Sequence, residues 1–478
     1  MSTSTTAKPI YLYSTLSRSK ELFTPLNPAR VGIYACGPTV YKDIHLGNFR
    51  TFIMTDWVRR MLEYNGYNVF LVSNITDVGH LQNDTDETGE DKLEHEARLT
   101  GRNAYDIAAF YTEQYLRDSD ALNILPPHLR PKATEHIPEM QEMTEALIER
   151  GLAYTTTDGN VYYNVSNFPS YGQLSGNTVE NLRTGGHGRQ QMEFAEDKQA
   201  PEDFALWKRG SEDRQMNWDS PWGTGFPGWH IECSAMATKY LGDQFDIHTG
   251  GIDLRFPHHE DEIAQSQGIS GKQPVQVWMH GEHLVLGSVK MSRSIGNGLL
   301  LSRLQAQGID PMAYRYLLLT AHYRSKLNFT DDSILAAQNG LNNLRADIAS
   351  LPPVAASTIQ QAWSTEAQSV HDAFQQAIND DLDLPTALSL TREVARNNKI
   401  APEERHRLIL DFDRVLGLRL DTVKANAPRT LNDEVLALVR QRDEARAARN
   451  WKRSDEIRDE LKAQGYEVRD TPKGTEVL

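Results

Sequence analysis

Ile33-Tyr-Ala-Cys-Gly-Pro-Thr-Val-Tyr-Lys-Asp-Ile-His-Leu-Gly-Asn-Phe-Arg-Thr-Phe52 decides how the rest of the chain is read. Val31 to Ala35 is short, rich in β-formers and stopped by Gly37-Pro38, which predicts a buried strand delivering a thiol, Cys36, at its end. Nine residues later His45-Leu-Gly47 opens a segment whose Phe49, Ile53, Trp57, Val58, Met61 and Leu62 recur at three- and four-residue steps. That is the stripe of an amphipathic helix ending near Asn65-Gly66. Strand, tight turn and helix start make an anion-binding corner, because the first helical turn leaves backbone N–H groups pointing outward. His45 and Asn48 add side-chain donors to it. Asn68 to Ser73 reads as a second parallel strand running into Asn74-Ile-Thr-Asp-Val78, the beginning of a doubly wound sheet with polar residues at its carboxyl end.

The length of 478 residues suits about three domains at roughly 150 residues each. No apolar run approaches the ~20 residues of a membrane span, and Met1 to Pro9 lacks the apolar block of a signal peptide, so the cytoplasm is expected. Two cysteines almost two hundred positions apart in such a chain point to metal ligation or simple burial rather than a disulfide. The formal net charge of −15 argues against indiscriminate nucleic-acid binding, so any such partner must be held by local basic patches.

Asn83 to Glu96 is acidic with few apolar residues and is expected to be an exposed loop or insertion. Helical periodicity follows from Ala104 to about Arg150, then a hairpin around Asp158-Gly159, then a loop from Gly176 to Gln199. Aromatic, Gly- and His-dense sequence returns from Phe204 to Asn297. Beyond Asp310 the chain is helical to about Leu418, broken at Pro352-Pro353 and Pro385. Leu431 to Asn450 forms another helix, Ser454 is expected to cap Asp455 to Gln464, and a hairpin of Tyr466 to Asp470 with Thr475 to Leu478 closes the chain.

Three constellations carry chemistry. His258 and Glu262 are four apart behind Pro257, so imidazole and carboxylate share a helix face; His259 also faces Glu262. With Cys36 and Cys233 they make a donor set of the kind Zn2+ prefers, although spacing alone leaves open a surface ion pair and two core thiols. Lys290-Met-Ser-Arg-Ser294 places two cations in a loop leading to Gly296, suited to a polyphosphate leaving group or to plain solvated surface. Arg440, Arg442, Arg446, Arg449, Lys452 and Arg453 surround Trp451 against only Asp443 and Glu444. That mixture fits an RNA backbone and a stacked base, or a helix end complementing its dipole.

The order of these signals resembles that of the class I aminoacyl-tRNA synthetases, and within them the cysteine-specific family. Cys36-Gly-Pro-Thr-Val-Tyr41, Asn74-Ile-Thr-Asp77, Gly228-Trp-His-Ile-Glu-Cys-Ser-Ala-Met236, Phe256-Pro-His-His-Glu260 and Leu327-Asn-Phe329 carry the likeness nearly end to end. The resemblance implies an α/β fold: a Rossmann-type parallel-sheet catalytic domain (1–110 and 200–300) split by a connective insertion (111–199). A connecting helical segment (301–335), a helical bundle (336–425) and a C-terminal anticodon-binding module (426–478) would follow.

It further implies one Zn2+ per subunit on Cys36, Cys233, His258 and Glu262, selecting the substrate thiolate. A cysteine pocket of Cys36, Gly37, Thr76, Trp229 and Cys233 goes with it. ATP, with Mg2+, would lie on His45, Gly47, Asn48, Lys290 and Arg293, and tRNA(Cys) on Arg446, Trp451 and Asp455. A monomer that activates L-cysteine and transfers it to tRNA, away from any membrane, is the expectation. Asn48 stands where the family's HIGH-type motif has its second His, and Arg293 where the KMSKS-type loop has Lys; Arg keeps the charge but bonds as a planar fork. Two alternatives differ in what they lack. A ligase joining cysteine to an amino sugar needs no RNA-reading end, and a non-catalytic RNA-binding paralogue needs neither thiols nor the ATP corner.

Overall fold

The computed structural model describes residues 8–78, 81–83, 88–183, 197–287, 289–291, 298–354, 361–424, 433–464, 466, 468–471 and 474–477. The chain forms two compact units, 1–423 and 424–478.

The first unit is built on β1 (Val31–Ala35), α1 (Leu46–Tyr64) and β2 (Val69–Ser73). The helices α2 (Lys92–Thr100) and α3 (Ala104–Ala121) come next. The sheet is resumed by α4 (Trp229–Leu241), β3 (Phe245–Gly251), α5 (His258–Ser270) and β4 (Val275–Gly281). The four strands are parallel in the spatial order β4-β3-β1-β2. Ile33 lies opposite both Leu71 on β2 and Ile247 on β3. Every residue of β1 and β3 is buried, as expected of parallel strands covered on both faces. The chain leaves β1 for β2 on one side and returns with β3 on the other. The carboxyl ends of β1 and β3 therefore flank a switch point, where such sheets open a crevice.

Helix α1 begins as the periodicity predicts: His45 is its N-cap, and Asn65 and Gly66 (φ +85°) end it. The stretch 83–96 departs from expectation. Leu81–Asn83 pairs antiparallel with Thr88–Asp91, and α2 starts at Lys92. Asp91 caps α2 by accepting from the Leu93 and Glu94 amides at 2.8 and 3.1 Å, and Leu93 and Ala97, one turn apart, are buried. A stripe of two apolar residues among acids is enough for a capped two-turn helix, but too narrow to stand out in composition.

Ala153–Thr155, Val161–Tyr163, Phe204–Arg209 and Gly225–Pro227 form an antiparallel sheet drawn from both sides of residue 200. Val179–Arg183 is a short helix within the stretch expected to be loop, and 184–196 lies outside the described residues. Helices Pro311–Leu319, Asp331–Ala349, Thr365–Asn379, Leu384–Arg396 and Pro402–Leu416 complete the unit. Phe374 and Phe412 stack at 3.9 Å between two of them.

A buried ionic knot ties α1 to these helices. Asp56 Oδ2 accepts from Arg315 at 2.5 Å and from Arg60 at 2.7 Å, and its Oδ1 accepts from the Leu125 amide. Other guanidinium N–H groups go to the carbonyls of Leu416, Leu122, Asn123 and Arg414.

The second unit contains α6 (Asp433–Ala447), α7 (Trp451–Ala463) and a hairpin of Val468–Thr471 with Gly474–Val477. Its small core joins Val435, Leu438, Ile457 and Leu461. The cap of α7 is Asn450, whose side chain accepts from the Arg453 amide; Ser454, expected to cap, is buried inside the helix. The helix thus starts at Trp451, which puts Trp451 and Asp455 one turn apart on one face.

Among the described residues no helix is long and apolar enough to cross a membrane.

Candidate active site

Close backbone packing holds the loop after β1 against the end of β2. The Gly37 amide donates to Asn74 Oδ1 at 2.8 Å, the Val40 amide donates to the Thr76 carbonyl, and a Cβ at Gly37 would lie 1.6 Å from the Asn74 carbonyl oxygen. Only glycine fits there. Cys36 is therefore presented at the sheet's carboxyl edge, facing Cys233 from the second turn of α4 with their sulfurs 3.8 Å apart and both thiols free. From α5, His258 Nε2 lies 3.1 Å from Glu262 Oε1, and the Cys36 sulfur lies 3.7 Å from the same oxygen. All four side chains are buried and their ligand atoms fall within 4.8 Å of one another. The surface ion pair left open by spacing is excluded, and the four could together hold a metal ion.

A second set, Cys36, His248, His259 and Glu262, is equally compact. Two observations favour the first. Cys36, Cys233 and His258 line a cavity of about 980 Å3, whereas His248 and His259 do not. The hydrogen bonds also cast those two histidines as supports. His248 Nε2 lies 2.9 Å from Glu262 Oε2, leaving Oε1 for the cluster. His259 Nε2 lies 3.3 Å from the Cys36 sulfur while its Nδ1 meets His280 at 2.8 Å. Likewise His230 Nδ1 lies 2.9 Å from His258 Nδ1 and its Nε2 3.3 Å from Asp261. If His230 donates to Asp261, it must accept from His258 Nδ1–H, which turns the His258 Nε2 lone pair toward the cluster. That lone pair then confronts the Glu262 oxygen, a repulsive contact that a cation between them converts into ligation.

The electrostatics agree. Burial pushes the Cys36 thiol well up, and Cys233 and Glu262 push the same way; burial pushes His259 well down, keeping its imidazole neutral. Without a cation the two thiols resist ionisation; a bound cation would reverse that preference. His230, His248 and His280 have no signal in sequence spacing, since they come from three different elements.

Trp229 stacks on the His258 ring at 4.3 Å and shares the cavity with Thr76, whose hydroxyl oxygen accepts from Asn74 at 3.1 Å. His45, Gly47, Asn48 and Lys290 line the same cavity. His45 Nδ1 accepts the Asn48 amide at 3.3 Å as the cap of α1, so in the neutral ring the proton sits on Nε2. A Cβ at Gly47 would come within 2.9 Å of that ring. Lys290 pairs with Asp253 at 3.1 Å. Arg293 lies outside the described residues.

In the second unit Arg446 pairs with Asp470 at 2.7 Å, Asp455 with Arg458 at 3.2 Å, and Trp451 is 58% exposed.

The profile described as the catalytic domain of class I (C) tRNA synthetases matches residues 22–339, and that of the cysteinyl-tRNA ligase anticodon binding domain matches residues 429–477. Cysteine–tRNA ligase 1 of Burkholderia lata is 46% identical over 98% of this chain and 96% of its own length. The chain belongs to the cysteine–tRNA ligase family. The Thermus thermophilus member of this family is 43% identical over 97% of this chain and 98% of its own length. Two solved class I synthetases share the Rossmann-type fold. Mycobacterium tuberculosis methionyl-tRNA synthetase bound by methionyl-adenylate has a TM-score of 0.53 at 13% identity, over 81% of this chain and 90% of that one. The Agrobacterium radiobacter LeuRS–tRNA–LeuAMS complex has a TM-score of 0.55 at 11% identity, over 84% and 85%.

Proposed function

We propose that this family member activates L-cysteine with ATP and transfers it to the terminal ribose of tRNA(Cys). The observation that carries the reading is the compact set of two thiols, an imidazole and a carboxylate, three of which line a cavity that is also lined by the anion-binding start of α1.

Cys36, Cys233, His258 and Glu262 would hold Zn2+, a borderline-soft Lewis acid that favours a substrate thiolate over serine's harder, more basic hydroxyl. Gly37 lets the backbone approach the bound amino acid, and Trp229 and Thr76 wall its pocket. His45 Nε2–H and Asn48 donate to the ATP phosphates, and Gly47 gives the imidazole room. The cysteine carboxylate attacks the α-phosphorus and pyrophosphate leaves, its charge offset by Lys290 and Arg293, with Mg2+ accompanying the nucleotide. In the second step the ribose oxygen bonds to the acyl carbon, the bond to the adenylate phosphate breaks, and the hydroxyl proton departs with AMP.

Arg446, Trp451 and Asp455 form the anticodon surface of the 426–478 module. Catalysis resides in 1–110 with 200–300, interrupted by 111–199 and followed by the connecting segment 301–335 and the bundle 336–425. The chain works as a cytoplasmic monomer.

Cysteine-dependent exchange of pyrophosphate into ATP, run beside serine and with metal analysis of the purified protein, tests the reading. Exchange with cysteine, near-zero exchange with serine and one zinc per chain are expected. No exchange with cysteine would overturn it.

A further inference from the structure

Metal-type floor and nucleotide wall leave a third side of the cavity, made by residues with no role so far. Tyr41 and Lys42 from the loop after β1, Lys92, His95 and Glu96 from α2, and Tyr111 from α3 line it. The three α2 residues stand at i, i+3 and i+4, so one face of the helix looks into the cavity. Lys42 pairs with Glu96 at 3.4 Å, and the Lys92 ammonium lies 5.9 Å from the Tyr41 ring centre, which fastens α2 over the loop that carries Cys36. Arg98 lies 3.4 Å from His95. The wall sets two lysines among two tyrosines, with Asp43 and Glu96 beside them, in a chain whose net charge is −15; basic and aromatic groups side by side are what single-stranded nucleic acid requires.

We infer that this wall seats the 3′-terminal nucleotide of the tRNA, with Lys92 and His95 as positioning residues. The inference rests on the function proposed above. Transfer needs a ribose hydroxyl delivered beside the activated acyl carbon, and one cavity holds all three walls. Lys92 meets the terminal phosphate, His95 the sugar, and the tyrosines flank the base. Helix α2 adds the positive end of its dipole at Lys92, its first residue.

Lys92→Met keeps the alkyl stem and removes the charge; Lys92→Arg keeps the charge. For Lys92→Met, exchange without tRNA should stay within about twofold while KM for a tRNA(Cys) transcript rises about tenfold, the scale of one charged hydrogen bond. The log–log salt dependence of tRNA binding should become shallower by about 0.7, the value for one single-strand phosphate contact. Lys92→Arg should restore charging. A transcript lacking its terminal nucleotide should bind parent and Lys92→Met alike. Equal loss of exchange would assign Lys92 to ATP or to scaffolding, and unchanged charging would remove it from the reaction; either overturns the inference. A parent protein that fails to exchange with cysteine would instead overturn the underlying function.

Discussion

Asp56 with Arg60 and Arg315, and Cys36 with Cys233, His258 and Glu262, are both buried polar clusters, but they use their bonding capacity differently. In the first, both carboxylate oxygens accept hydrogen bonds and the guanidinium N–H groups find carbonyls at the ends of neighbouring segments. Burial opposes ionisation of Asp56, yet Arg315 and Arg60 hold its pKa below the usual range. In the second, two thiols and a carboxylate crowd together, burial drives the Cys36 pKa up, and a lone pair meets an oxygen. A buried polar group left short of partners is expensive, so a cluster that balances itself serves architecture, whereas one that needs a guest serves chemistry.

The sharpest test of the contrast is Cys233→Ser. It should remove the metal and depress cysteine activation by ~10⁴-fold, about 5.5 kcal/mol at 1.36 per decade, with RNA binding retained. Metal analysis and pyrophosphate exchange read it, and undiminished metal and activity would end the assignment. Arg315→Met, which leaves Asp56 buried with one cation fewer, should cost about 3–5 kcal/mol of stability in denaturant unfolding, with little loss of activity per folded molecule. Unaltered stability would show that the knot carries no net interaction. Because the folded pKa of Asp56 is depressed, its contribution is fully present above the unfolded value of about 3.9 and disappears only as pH falls through the lower folded value. Titration between pH 5 and 8 should therefore leave this term untouched.

His230→Asn sits between the two cases, since it removes only the group that orients His258. A decrease of about 10–100-fold in metal affinity is expected by chelator competition, and parent-like affinity would free His258 of that support. Trp451→Ala is expected to be of similar size. One stacked base is worth about 1–3 kcal/mol, which should appear in tRNA charging and not in cysteine activation. Equal losses in both would contradict an anticodon role.

The contrast also explains what the sequence could reveal. Apolar periodicity located β1, α1 and β2 to within a residue or so, because burial on defined faces writes itself into local order. The donor types at 36, 233, 258 and 262 were readable as chemistry, but their convergence depends on two crossovers, so residue type and spacing left it as one alternative and the family resemblance was what implied it. The supporting roles of His230, His248 and His280, and of Arg315 with its carbonyls, could not be read from spacing, because each acts across elements distant in sequence. Helix α2 was obscured by its charge, and the start of α7 was displaced because Ser454 and Asn450 are both competent caps and only packing chooses between them.

The join between His45 and the first turn of α1 bears on the Asn at position 48. What steadies the ring is the main-chain amide of residue 48, which every amino acid but proline possesses. Exchanging imidazole for carboxamide at that position therefore alters one arm of the grip on the nucleotide while the aim of the other stays built into the backbone.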